Sequence, residues 1–148
     1  MNEILQVLAV LIAAVWWGAL IGIDFIVIPS HFRTPNIERD VIFAVGRQVF
    51  HTFGLIQLGL GLLLLIVTLA GGTEAAVIML AVFMLILAGL NVAVLEPMMA
   101  AIRRKAGGPI QEGTPDHARY RQYHQAYFAS DIFRIAMGAM VLVALVIA

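Results

Sequence analysis

The sequence predicts an all-α fold: a membrane-spanning four-helix bundle with both termini outside and cytoplasmic extensions on helices two and four. Three observations carry this. The 148 residues are 62% hydrophobic and 12% charged, whereas soluble domains are nearer half apolar and a quarter charged. So few polar groups cannot cover the surface of a domain this small. The apolar residues gather in four runs, at about residues 4–28, 51–70, 75–95 and 129–148, each close to the ~20 residues a helix needs to cross a hydrocarbon core. None of the runs alternates polar with apolar residues as a barrel strand does. The chain therefore reads as one four-span domain over residues 1–148, with the lipid bilayer as its first partner. The same composition argues against a soluble enzyme, a disordered chain or a nucleic-acid binder. The absence of cysteine excludes disulfide staples and thiolate metal sites.

The first run is read as a retained helix and not as a signal peptide. Glu3 is the only charge before Asp24, the run is too long, and no small-x-small cleavage site follows. A polar link over residues 29–40 carries Pro29, Pro35 and Asn36. The second and third runs are separated by Gly71-Gly72-Thr73, a tight turn that makes them antiparallel neighbours. The third run meets Pro97, which is expected to end or kink it and to leave carbonyls free. A longer loop over residues 103–118 follows, with Gly107-Gly108-Pro109 and Gly113-Thr114-Pro115. Residues 40–50 and 116–128 suit helical extensions of spans two and four, with Asp40 and Asp116 in their first turns. Tyr120, Tyr123, Tyr127 and Phe128 suit an aromatic interface belt. Trp16 and Trp17 fall near mid-span and are expected to pack against a helix or a partner.

All nine basic residues fall on one side. Arg33, Arg39 and Arg47 surround the first link, Arg103, Arg104, Lys105, Arg119 and Arg121 the second, and Arg134 enters span four from that end. The other face has only Glu3 and Glu74. The positive-inside rule places both links in the cytoplasm and both termini outside, as a multi-pass protein of the inner (plasma) membrane.

Asp24, His51, Asn91, Glu96, Asp131 and Arg134 fall near one level at the inner boundary of the spans, and Arg47 lies one turn from His51. Ionisable groups at such depth are costly and are expected to pair. Asp131 and Arg134 are spaced to share a helix face, as are Arg47 and His51; Arg134 with Asp24 or Glu96 is an equally good interhelical pair. The leading reading of the layer is a salt-bridge cluster that fixes helix register, and the alternative is a proton, ion or small-solute site. His51 and His124 are candidate ligands for haem or a metal, although His124 lies about seven residues, roughly 10 Å, outside the level of His51. No cofactor is expected. His31 reads as a solvated loop residue. Gly18-x3-Gly22 is a packing face for another span or another copy, and Met137 and Met140 read as lipid or core contacts. A faint echo links the halves, since Asp24 precedes Pro29 as Asn91 and Glu96 precede Pro97, and His51 or His124 lies on the helix that follows. Any such repeat is parallel, because both halves run out-to-in and then in-to-out.

Several motifs match a known pattern. Span one reads Gly18-x6-Phe25-x-Val27-x-Pro29-x2-Phe32. Span three ends Asn91-x3-Leu95-Glu96-Pro97 with Ala100 following. Span four opens on Tyr123-His124, with Asp131 seven residues after the histidine. Together these resemble the four-span family of the transmembrane-protein-205 type, over most of the chain and most specifically in Leu95-Glu96-Pro97. The chain departs from that pattern at Tyr127, where the family tends to have Ser, at Asp131, where it often has Asn, and at His51, where it commonly has Pro. The resemblance implies the four-span fold but no settled activity. The function expected from the residues is that of a non-enzymatic structural or accessory subunit, in a homo-oligomer or a larger membrane complex. The first alternative is a permease or proton-handling protein, with Asp24, Glu96, Asp131 and Arg134 lining the path and His51 as proton carrier. The second is a haem or metal redox protein.

Overall fold

In a bilayer no water satisfies backbone N–H and C=O groups, so an apolar run of this length folds as a helix. The computed structural model describes residues 3–108 and 110–147, apart from the side chains of Arg39 and Asp40. The expected features that rest on Pro109, Ala148 and those two side chains lie outside the described residues. Among the described residues six α-helical segments run α1 (Glu3–Ile21), α2 (Ile28–Arg33), α3 (Arg39–Ala70), α4 (Ala75–Leu90), α5 (Glu96–Ala106) and α6 (Pro115–Ile147). A π-helical turn over Gly22–Val27 joins α1 to α2, and another over Asn91–Leu95 joins α4 to α5. The result is four continuous rods of 30 to 33 residues, long and apolar enough to cross a membrane. At 1.5 Å per residue each exceeds the ~30 Å core and projects from it. The expected extensions of spans two and four are present, since α3 begins at Arg39 and α6 at Pro115.

Two boundaries differ from expectation, for one physical reason. Span one continues through Pro29 to Arg33, and span three through Pro97 to Ala106. Proline normally breaks a helix because it lacks an N–H and clashes with the carbonyl four residues back. Here the turn before each proline is widened: the Ile28 N–H donates to Ile23 O, and the Glu96 N–H to Asn91 O, five residues back in both. The π turn takes up the proline and the helix resumes. The polar links shrink accordingly, to residues 34–38 and 107–114. At the second, Thr114 accepts the His117 N–H at 3.2 Å while Pro115 opens α6, an N-cap followed by proline. At the far end Gly72 adopts φ +63°, which the turn between α3 and α4 requires and a side chain would resist.

The rods form a closed square. α1 packs on α3 and α6, and α4 packs on the same two, which leaves α1 opposite α4 and α3 opposite α6. Large apolar side chains such as Leu11, Val15, Leu62, Phe83 and Val143 cover the outside, while Ala9, Trp16, Leu64, Ala81, Val141 and Leu145 fill the centre. The buried positions reveal a repeat. In α1 they are 9, 13, 16 and 20, and in α4 they are 77, 81, 84 and 88, a constant shift of 68. In the membrane part of α3 they are 53, 54, 57, 61, 64 and 68, and in α6 they are 130, 131, 134, 138, 141 and 145, a constant shift of 77. The shift of 68 also carries Pro29 onto Pro97 and one π turn onto the other. Close contacts follow the same relation. A Cβ on Gly61 would lie 2.8 Å from Leu85 and 2.9 Å from Trp16, and one on Gly138 would lie 2.8 Å from Trp17 and 3.4 Å from Met84. These are equivalent positions. The chain is thus a pair of two-helix units about an axis along the bundle, the parallel arrangement.

Candidate functional site

The polar residues stack on this axis in layers. The deepest is a network between opposite helices α3 and α6. Arg134 is fully buried and donates to Gln57 Oε1 and Asp131 Oδ1. Gln57 Oε1 also accepts from Trp16 Nε1 at 3.2 Å, and Asn91 Nδ2 donates to Asp131 Oδ1 at 3.3 Å. Gln57 and Arg134 are equivalent positions, so they meet across the axis. One guanidinium is therefore held by a carboxylate and an amide, as a charge removed from water must be. Trp17 Nε1 donates to Ile135 O at 2.8 Å, so both tryptophans tie helices together at mid-span.

The next layer holds Glu96, which accepts from the Tyr127 hydroxyl at 3.5 Å and lies 3.0 Å from His51 Nδ1. Phe50 and Tyr127, again equivalent positions, stack edge-to-face at 5.5 Å. Further out, Arg103 donates to the Tyr120 hydroxyl at 2.9 Å and lies over the Tyr120 ring. Lys105 pairs with Asp116 at 2.9 Å.

Between the buried network and the basic end lies a cavity of about 860 Å³. That is within the range of small-molecule sites. Asp24, Arg47, His51, Glu96, His124 and Asp131 line it among phenylalanines and aliphatic side chains. Asp24 Oδ2 is buried with no hydrogen-bond partner among the described residues. His31 Nδ1, Asn91 Oδ1, Ser130 Oγ and Arg134 Nε are buried without a partner in the same way, while Glu96 and Asp131 are hydrogen-bonded.

Most of the predicted cluster is thus brought together. Asp131 pairs with Arg134, Asn91 joins them, and Arg47 and His51 share a cavity-facing side. Arg134 does not pair with Glu96, which turns to His51 and Tyr127. His31 is not in a loop: it lies on α2, lines the cavity, and has a buried Nδ1. Tyr127 is buried and does not belong to an interface belt. His124 is equivalent to Arg47, so it sits one turn and not two from the level of His51. No group of three His, Asp or Glu side chains converges as a metal site among the described residues. Gly18 and Gly22 have nothing within 4 Å of an added Cβ, and Gly54, Gly61 and Gly138 are the glycines pressed against neighbouring spans. Gln57 is a site residue the sequence reading passes over, and Tyr120 and Tyr127, assigned there to an interface belt, hydrogen-bond Arg103 and Glu96 here. For Gln57 a signal existed, an amide amid an apolar run, which is costly in a membrane unless bonded.

Residues 11–107 match the model of a family described as a domain of unknown function, DUF4149. The matched stretch covers Asp24, His51, Asn91 and Glu96 and stops before α6. No curated protein and no solved structure matches the chain.

Proposed function

We propose that this chain, which belongs to the DUF4149 family, is a non-enzymatic membrane protein that handles protons, ions or a small solute through its axial cavity. The observation that carries this is the ligand-sized cavity itself, which gathers Asp24, Arg47, His51, Glu96, His124 and Asp131 in one lining. In this reading the basic end faces the cytoplasm of the inner (plasma) membrane, the termini lie outside, and the cavity is the inner vestibule. The Arg134–Asp131–Gln57–Asn91 network closes its deep end. His51, whose side chain is 55% exposed, and Glu96, at 17%, form a pair in the cavity lining that rearranges as a solute enters. The likeness of Asn91-x3-Leu95-Glu96-Pro97 to the transmembrane-protein-205 type adds a proposed kinship, the motif here holding the second π turn. A second reading, an accessory subunit of a homo-oligomer or larger complex, is favoured by the Gly18-Gly22 face, which no other span approaches.

The test is flux. Purified protein is reconstituted in liposomes with a trapped pH dye and a potassium gradient. Flux above protein-free liposomes is expected, falling at least tenfold in Asp24→Asn. No flux from the wild type, or equal flux from the folded Asp24→Asn variant, overturns the proposal. Absent flux with a co-purifying membrane subunit favours the second reading.

A further inference from the structure

We infer that the cavity takes one organic anion with an apolar body, its charged group held at the mouth between Arg47 and His124. The inference rests on the cavity being a ligand site, as proposed above, but not on transport.

The repeat locates the charged group. Equivalent residues face each other across the axis, and most cavity layers pair one polar with one apolar side chain: Asp24 with Val92, Glu96 with Ile28, Tyr127 with Phe50, His51 with Phe128. The halves have diverged so that each layer offers its polar group once, which suits a single ligand and not two. At the mouth the pattern changes. Arg47 from α3 and His124 from α6 are equivalent, both line the cavity, and both are basic.

Charge points the same way. Arg103 and Arg104 join Arg47 and His124 in the lining, and no ion pair within 4 Å engages any of these four among the described residues. The lining carboxylates Asp24, Glu96 and Asp131 sit deeper. Asp131 lies seven residues, ~10 Å, along α6 from His124, and it is already held by Arg134 and Asn91. Between mouth and floor the walls are largely apolar, with Ile28, Phe43, Phe50, Val92 and Phe128. A carboxylate or phosphate at the mouth with a hydrocarbon or aromatic body below fits this sequence of surfaces. The same chemistry is supplied by a lipid-derived acid from the bilayer or by a soluble organic acid from the aqueous side.

Three probes with one 18-carbon chain test it: oleate, oleyl alcohol and oleylamine. Each is added to the purified 148-residue chain in non-ionic detergent, and retained ligand is counted by native mass spectrometry. One oleate per chain is expected, bound at least tenfold more tightly than the alcohol or the amine. Arg47→Gln/His124→Gln should lose that preference, while Arg119→Gln/Arg121→Gln, outside the cavity lining, should keep it. Competition by 4-phenylbutyrate would identify a soluble source, and its failure beside bound oleate a bilayer source; both support the inference. Equal retention of the three probes by the wild type overturns it without recourse to a variant, as does preference for the amine. An unchanged preference in the folded Arg47/His124 variant also overturns it. Oleate binding without any liposome flux would reject transport and leave this inference standing.

Discussion

Arg134 is the residue on which the bundle's centre turns. It is fully buried, and its two hydrogen-bonded partners come from its own helix and from the opposite one. Truncating one member of such a set leaves an uncompensated charge, at ~3–5 kcal/mol, so the network is rigid by necessity. Close packing is equally local. Gly61 and Gly138 admit Trp16 and Trp17 against the backbone, and in lipid it is such contact and interhelical bonding that hold helices together. Gly138→Val should therefore destabilise the protein by about 1–3 kcal/mol, and Gly61→Val by a similar amount. Thermal unfolding in detergent checks this, and Gly18→Val, with open space around it, should be nearly neutral. At this scale the sequence was half legible. Asp131, Arg134, Asn91 and Glu96 stand out because charge and amide groups are rare in apolar runs. Tyr127 did not stand out, because a tyrosine near a membrane boundary suits a belt as well as it suits Glu96. Which acid takes Arg134 depends on side-chain geometry that spacing alone leaves open.

The elements show why proline in these spans is no terminator. A π turn is one extra residue inserted in an α-helix, and here each insertion lies just before a proline whose N–H is missing in any case. The turn over Asn91–Leu95 also positions Asn91 toward Asp131 and Glu96 toward His51. Deleting Val94 should convert this turn to regular α-helix and leave the register of α4 and α5 intact, with the Asn91–Asp131 bond lost at a cost of about 1 kcal/mol. Deleting Leu85, in the regular part of α4, should rotate everything beyond it by ~100° and abolish folded protein. Expression level and melting temperature of the two deletions check this. The sequence reading places Pro29 in a polar link and has Pro97 end or kink span three, because the period of the apolar pattern cannot distinguish a break from a one-residue bulge.

For the whole molecule, the net charge of zero conceals a polarised bundle with basic links at one end and a cavity behind them. The four spans were legible from length and hydropathy alone. The repeat was only an echo, because the halves share a packing register while their chemistry has diverged: Gln57 stands for Arg134, Gly54 for Asp131, Val92 for Asp24. That equivalence makes a distinctive prediction. Arg134→Gln alone should destabilise strongly, whereas Gln57→Arg/Arg134→Gln should restore much of the loss, because a guanidinium rising from the opposite helix reaches the same point on the axis beside Asp131. A double variant no better than the single one would contradict the axial relation.

The central claim is that the polar cluster lines a cavity open to the basic end and closed toward the termini. The chain contains no cysteine, so Ile28→Cys, on the cavity wall, reports access directly. Sealed vesicles of both orientations are treated with a membrane-impermeant maleimide, and cysteines placed at Gly107 and Gly72 mark the basic and opposite ends. Ile28→Cys should be labelled only in vesicles in which the Gly107 position is labelled. Labelling from the Gly72 side, or no labelling from either side until the protein is unfolded, would contradict the account.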